Sequence, residues 1–206
     1  MTVDALSEQE QQSFLQAITL VRNTQGRRLT VASVTPQQMM QQLHQNIDQI
    51  SQQKFDGRQV ACAAGCSHCC RRQRVEITQA EAAFIAGQMT LHEPDLARQT
   101  YARLQQAAAA EQKETACPLL HDEKCSIYAW RPAVCRKAHS YDASACATAS
   151  ETLPQNLERL LRSEALMTGT RLALDDHGWP QTPLLLGEGL LMAFSQVWQI
   201  PDQAED

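Results

Sequence analysis

The stretch Cys62-Ala-Ala-Gly-Cys66-Ser-His-Cys69-Cys70 puts four thiols into nine residues. Positions 62, 66, 69 and 70 stand at i, i+4, i+7 and i+8, which on an ideal helix fall within an arc of about 80–100°. Along the axis the same four span about 12 Å. A tetrahedral zinc needs every sulfur at about 2.3 Å, so one unbroken helix cannot deliver all four to one ion. Either Gly65 breaks the helix and the segment wraps the metal, or the neighbours Cys69 and Cys70 point different ways and serve different metals. The second arrangement is the expectation, and it shares the first segment between two centres.

Working outward, the remaining thiols lie in a second segment, Cys117-Pro-Leu-Leu-His-Asp-Glu-Lys-Cys125-Ser-Ile-Tyr-Ala-Trp-Arg-Pro-Ala-Val-Cys135-Arg, with Cys146 beyond. All eight cysteines therefore fall in two stretches, and inert buried thiols have no reason to cluster. Soft thiolates suit zinc, iron–sulfur clusters or copper(I), and suit magnesium or calcium poorly. The expected metal is zinc or iron, an iron–sulfur cluster included, held by Cys62, Cys66, Cys69, Cys70, Cys117, Cys125, Cys135 and Cys146 as two mononuclear centres or one polynuclear centre. Four thiolates around Zn²⁺ leave a formal charge of −2, which calls for donors and positive charge nearby. Arg71, Arg72, Arg74, Lys124, Arg131, Arg136 and Lys137 flank the cysteines. The first three read equally well as a solvated basic face, whereas Arg131 and Arg136, beside Cys135, are expected to act on the site. His68, His121 and His139 lie inside the segments, but a single histidine is more often a packing or surface residue than a ligand. Tyr128, His121 and Asp122 lie near the second segment, and no catalytic base stands out among them.

Composition narrows the class. The chain has 206 residues, 43% hydrophobic and 20% charged, which excludes a wholly disordered protein. A net charge of −5 makes nucleic acid a poor partner. The most apolar run, Leu184 to Val197, is short and broken by Glu188 and Ser195, so no membrane span is expected. The N-terminus has neither a basic nor an apolar leader region. A cytoplasmic, reducing location follows as the expectation, where clustered cysteines bind metal or do redox chemistry more often than they form disulfides. The expected partner is a metal ion, with a protein partner left open.

The periodicity predicts a mainly α fold: a compact helical domain with a loop-rich, cysteine-ligated centre and little or no β-sheet. Leu6, Phe14, Ile18 and Val21 mark a helix over roughly 5–24. Thr35 as N-cap and Pro36 at the first helical position open a second, to about Lys54, with Met39, Met40, Leu43, Ile47 and Ile50 as its apolar stripe. Eight of the seventeen positions 37–53 are Gln, the wet face of an amphipathic helix. Thr78-Gln-Ala-Glu81 reads as a capping box for a helix over 79–89. Further helices are expected from Pro94 to about Lys113, from Pro154 to about Met167 and from Thr182-Pro183 to about Trp198, the last with Leu185, Leu186, Leu190, Leu191, Phe194 and Trp198 as core. A turn is expected at Asp122-Glu123-Lys124, and only Gln73–Ile77 and Arg171–Leu174 carry strand signal. The expected organisation is a helical extension over 1–56, a cysteine-cluster domain over 57–150 and C-terminal helices over 151–206.

On Cys62-x3-Cys66-x2-Cys69-Cys70, the Val75-Glu-Ile-Thr that follows, Cys117-Pro-Leu-Leu, Cys125-Ser-Ile-Tyr128 and Arg131-Pro132-x2-Cys135-Arg136, the chain resembles the bacterial YkgJ-type cysteine-cluster family over about 60–146. That resemblance implies chelation of zinc or iron. The family's cluster is also similar to one in flagellin lysine N-methylases, which implies an iron-dependent or iron–sulfur enzyme, with methyl transfer to protein lysine, as the alternative. The chain has no glycine-rich nucleotide loop to hold a methyl donor. The Cys62-x3-Cys66-x2-Cys69 spacing also matches that of radical S-adenosylmethionine enzymes, but those resemble β/α barrels, and this sequence carries almost no strand pattern.

Overall fold

The computed structural model describes residues 6–63, 65–72, 74–109, 116–148, 150, 152–179 and 181–199. Its described residues form eight α-helices, one short 3-10 turn and two two-stranded ladders, the mainly α fold that the periodicity predicts. The contacts gather into two units: Met1–Ala63 with Cys135–Gln181, and Ala64–Val134 with Thr182–Asp206.

In the first unit, α1 (Glu8–Thr30) opens with a full capping box between Ser7 and Glu10. It runs beyond the predicted end because its last turns bury Gln25 and Gly26, which no apolar pattern marks. The second helix, α2 (Pro36–Gln52), follows the sequence reading closely. Thr35 and Gln38 form its capping box, and Met39, Met40, Leu43, Ile47 and Ile50 are all buried. The helix α7 (Leu157–Asp176) departs from expectation at both ends. It opens at Leu157 and not at Pro154, with Asn156 as N-cap accepting from the Arg159 N–H at 2.8 Å. It absorbs the strand candidate Arg171–Leu174, and beyond Arg159 its buried residues are Ser163, Ala165, Gly169, Thr170, Ala173 and Leu174. Small and hydroxylated residues at helical spacing leave no hydrophobic stripe to read. Paired neighbours ascend together along α1 and α7, from Val21 at Gly169 to Gly26 at His177, so the two helices run parallel. A Cβ on Gly169 would stand 2.6 Å from the Val21 Cβ and 2.8 Å from the Ile18 carbonyl oxygen. Only glycine permits that approach.

In the second unit, β1 (Glu76–Ile77) pairs antiparallel with β4 (Leu184–Leu185). Only the end of the Gln73–Ile77 strand candidate is realised, and Gln73 itself lies outside the described residues. The ladder delays α8 (Leu186–Trp198) past Thr182-Pro183, with the Leu186 N–H donating to the Val75 carbonyl at 2.9 Å. Leu186, Leu190 and Phe194 of α8 are buried, whereas Leu185, Leu191 and Trp198 are half-buried. The helices α3 (Gln79–His92) and α4 (Pro94–Ala109) pack with α8, burying Phe84, Ile85, Met89 and Leu104. Past Ala109, the rest of the predicted helix, 110–113, lies outside the described residues. The capping box predicted at Thr78 is half formed. Its hydroxyl accepts from the Glu81 N–H, but the buried Glu81 carboxylate accepts from the Ala133 N–H at 2.6 Å. A tertiary donor has displaced the local one.

Candidate metal centre

The first cysteine segment is not helical. Residues 61–63 are irregular, Gly65 takes φ +90° and a turn covers 68–72. The break at Gly65 that one of the two arrangements requires is present, and the thiols of the neighbours Cys69 and Cys70 act on each other.

The second segment opens with a two-residue hairpin, β2 (Leu120–His121) against β3 (Lys124–Cys125), with His121 opposite Lys124. Asp122 and Glu123 occupy its loop at φ 47° and 62°, the signature of a type I′ turn. The predicted turn is therefore present, in a conformation that favours Asn-Gly over Asp-Glu.

Two sets of contacts join this hairpin to the first segment. The Cys117 N–H donates to the Cys70 carbonyl at 2.6 Å. The Glu123 carboxylate accepts from the Ser67 hydroxyl at 2.8 Å on one oxygen and pairs with Arg71 on the other. Arg71, then Ser67, hold the Glu123 carboxyl below the usual carboxylate range.

The thiols of this unit act on one another. Cys69 is exposed as a residue overall, yet the Cys70 thiol bonded to it, and then desolvation, raise its pKa. Burial raises that of Cys117, with smaller contributions from Cys125 and Cys69. Burial also raises Cys125, opposed by the charge of Arg131. Arg131 therefore has the electrostatic role its position suggested, while its guanidinium also lies 4.1 Å above the Tyr128 ring. Cys66 is half-buried in the same unit.

Cys62, Cys135 and Cys146 belong to the first unit. Cys62 is exposed, while Cys135, on α5 (Ala133–Lys137), and Cys146, on α6 (Ala143–Ala147), are half-buried. Arg136 pairs with Asp48 of α2 at 2.5 Å, and Lys137 pairs with Glu164 of α7. Both cations are thus held by carboxylates. The sequence reading did not find Arg159. It is buried, its Nε has no hydrogen-bond partner, and it interacts electrostatically with Cys62 and Tyr141.

Around it lies a polar network. Asp56 accepts from the Tyr141 hydroxyl at 2.8 Å, and from Asn156 and Arg58, which together hold its carboxyl down at about 2. His139 uses both ring nitrogens: Nε2 accepts from the Asn156 N–H at 2.9 Å, and Nδ1 stands 3.0 Å from the Lys137 carbonyl. A backbone N–H can donate only to an unprotonated nitrogen, so His139 is neutral and structural. His121 is exposed and faces Asp122 at 3.4 Å, and His68 interacts with Glu123.

All eight cysteines carry free thiols. The donor set is soft, the thiols of Cys69, Cys117 and Cys125 share one neighbourhood, and an orphaned guanidinium nitrogen is buried within electrostatic reach of Cys62. Those features fit a thiolate-bound metal. Among the described residues, no group of three or more His, Cys, Asp or Glu stands at the spacing that holds an ion. The convergence is thus of neighbourhood and not of ligating distance.

Residues 61–158, just under half of the chain, match the sequence model of the CxxCxxCC family, whose description reads "Putative zinc- or iron-chelating domain". That match is to the cysteine-cluster family that the motifs implied. No curated protein and no solved structure matches the chain. No helix among the described residues is long and apolar enough to cross a membrane.

Proposed function

We propose that this protein chelates zinc or iron through its eight cysteines in two centres, one in each unit. Cys66, Cys69, Cys70, Cys117 and Cys125 supply the thiolates of one. Cys62, Cys135 and Cys146 supply those of the other, with Arg159 as positive charge beside Cys62. The observation that carries this reading is the joining of two stretches distant in sequence, the Cys117 N–H donating to the Cys70 carbonyl at 2.6 Å, with the charges of Cys69, Cys117 and Cys125 acting on one another. The metal supplies folding free energy to loops that carry little regular secondary structure of their own. A reducing, cytoplasmic setting keeps the thiols available. Residues 57–150 form the metal-binding stretch, flanked by the helical stretches 1–56 and 151–206.

Metal analysis of anaerobically purified protein, together with its absorption spectrum, tests this reading. The expected result is at least one metal atom for each cysteine set. Colourless protein with zinc identifies a metal-stabilised module, and visible charge-transfer bands with iron identify an iron or iron–sulfur protein. Protein that binds neither metal overturns the reading.

A further inference from the structure

We propose that Glu123 is a positioning residue for the five-cysteine centre, a clamp that sets the distance between the Cys66–Cys70 loop and the Cys117–Cys125 hairpin; this rests on the chelating function proposed above.

Three observations carry it. Glu123 is a bulky residue at φ 62°, where an L side chain is disfavoured and glycine is not. The hairpin could turn more easily with Asp-Gly, the pair type I′ turns prefer. A residue kept in a disfavoured conformation points to a use for its side chain. Second, both carboxylate oxygens cross to the other segment, one to Ser67 and one to Arg71. Ser67 is buried and lies between Cys66 and Cys69, so its hydroxyl is fixed within the first cysteine loop. Third, the two-residue strands of the hairpin add only a short ladder of their own. Beside the bond from Cys117 N–H to the Cys70 carbonyl, Glu123 provides a two-point polar tie between the two stretches. A tie of this kind preorganises the thiols, so its loss is felt in metal affinity. Outer partners of metal ligands typically affect affinity by about 10- to 100-fold.

The test separates this role from a structural one. Zn²⁺ affinity is measured by chelator competition, and Co²⁺ absorption reports how many thiolates bind. Melting is followed after metal is stripped by chelator. In Glu123→Gly, which creates the favoured Asp-Gly turn, the metal-free melting temperature is expected to hold or rise, while Zn²⁺ affinity falls about 10- to 100-fold. The double variant Ser67→Ala/Arg71→Gln, which removes the same ties from the other side with Glu123 intact, is expected to show the same loss of affinity. Wild-type affinity in Glu123→Gly overturns the proposal. So does a fall in metal-free melting temperature alongside the fall in affinity, because that outcome makes Glu123 an ordinary fold-stabilising residue. A wild-type protein that binds neither Zn²⁺ nor Co²⁺ instead removes the chelating function itself, and is seen before any variant is made.

Discussion

The surroundings of the two cysteine sets differ in kind. In the second unit, Cys69, Cys70, Cys117 and Cys125 sit on a glycine-broken loop and a two-residue hairpin, tied by Glu123 and one backbone hydrogen bond. In the first unit, the chain around Cys62 is anchored by a many-membered polar network. The Ala61 N–H donates to the Ser140 carbonyl at 2.8 Å, the Tyr141 N–H to the Pro154 carbonyl at 2.8 Å, and Asp56 gathers Tyr141, Asn156 and Arg58. One region is framed by many polar contacts, and the other by few polar ties with Leu119 and Ile127 buried beside its cysteines; on the proposed reading, metal would add more to the second.

That contrast is broken or sharpened most strongly by removing thiols. Serine at Cys66 or Cys69 is expected to abolish the metal of the second unit and to unfold its cysteine loops, because structural zinc contributes an apparent free energy of about 10–16 kcal/mol. Serine at Cys135 is expected to lower metal content with a smaller loss of stability. Elemental analysis and thermal melting check both, and equal destabilisation by Cys69→Ser and Cys135→Ser would erase the distinction. Chelator treatment offers the same comparison without mutation. Hydrogen exchange is expected to quicken over 66–72 and 117–126 while the amides of Ala61, Tyr141 and Asn156 stay protected. Matching loss of protection in both regions would show that neither frame is preformed.

Two substitutions probe the scaffolds under each set, with intermediate effects. Gly169→Ala is expected to cost about 1–3 kcal/mol by overpacking α1 against α7. Glu81→Ala is expected to cost about 1–3 kcal/mol by orphaning the Ala133 N–H. Urea denaturation measures both, and neutral outcomes would place the two contacts outside the cooperative core.

The smallest expected effect is pH-dependent and belongs to the first unit. Desolvation, then the Lys137 and Asn156 backbone contacts and the charges of Arg159 and Asp56, act on His139, and the balance lowers its pKa below 6.5. The unfolded chain then takes up a proton at a pH where the folded chain does not. The stability His139 contributes is fully present above about 6.5 and is lost as pH falls through the window below it. Asp56, lowered from 3.8 to about 2, contributes stability that is lost only across that more acidic window. Denaturation midpoints of the wild type are expected to fall between neutral pH and about pH 5, and His139→Gln, whose amide can accept from Asn156 without titrating, is expected to flatten that slope. An unchanged slope would remove His139 as its source.

Much of this was legible from the chain alone. The stripe from Met39 to Ile50 and the Thr35-Pro36 start predicted α2 to within two residues at its end, because a hydrophobic period and a local cap need no distant partner. The cysteine spacing ruled out a single helix on metal geometry, and the motif order pointed to the family whose model matches residues 61–158. What was not legible depended on distant partners. Glu81 reads as a local cap until the Ala133 N–H claims it. Glu123 reads as a turn residue, and Arg159 reads as one more charge on a helix. No period marks α7 beyond Met167, since its buried face there is Gly169, Thr170 and Ala173 as well as Leu174.

The sequence by itself determined the helical class, the cap-to-stripe elements and the soft donor set, because backbone periodicity and thiol chemistry are properties of nearby residues. The tertiary structure alone decided which thiols share a neighbourhood, and that Glu123 ties two cysteine stretches. Those outcomes are set by hydrogen bonds and charges between residues dozens of positions apart, and no local pattern encodes which of the many possible pairings will close.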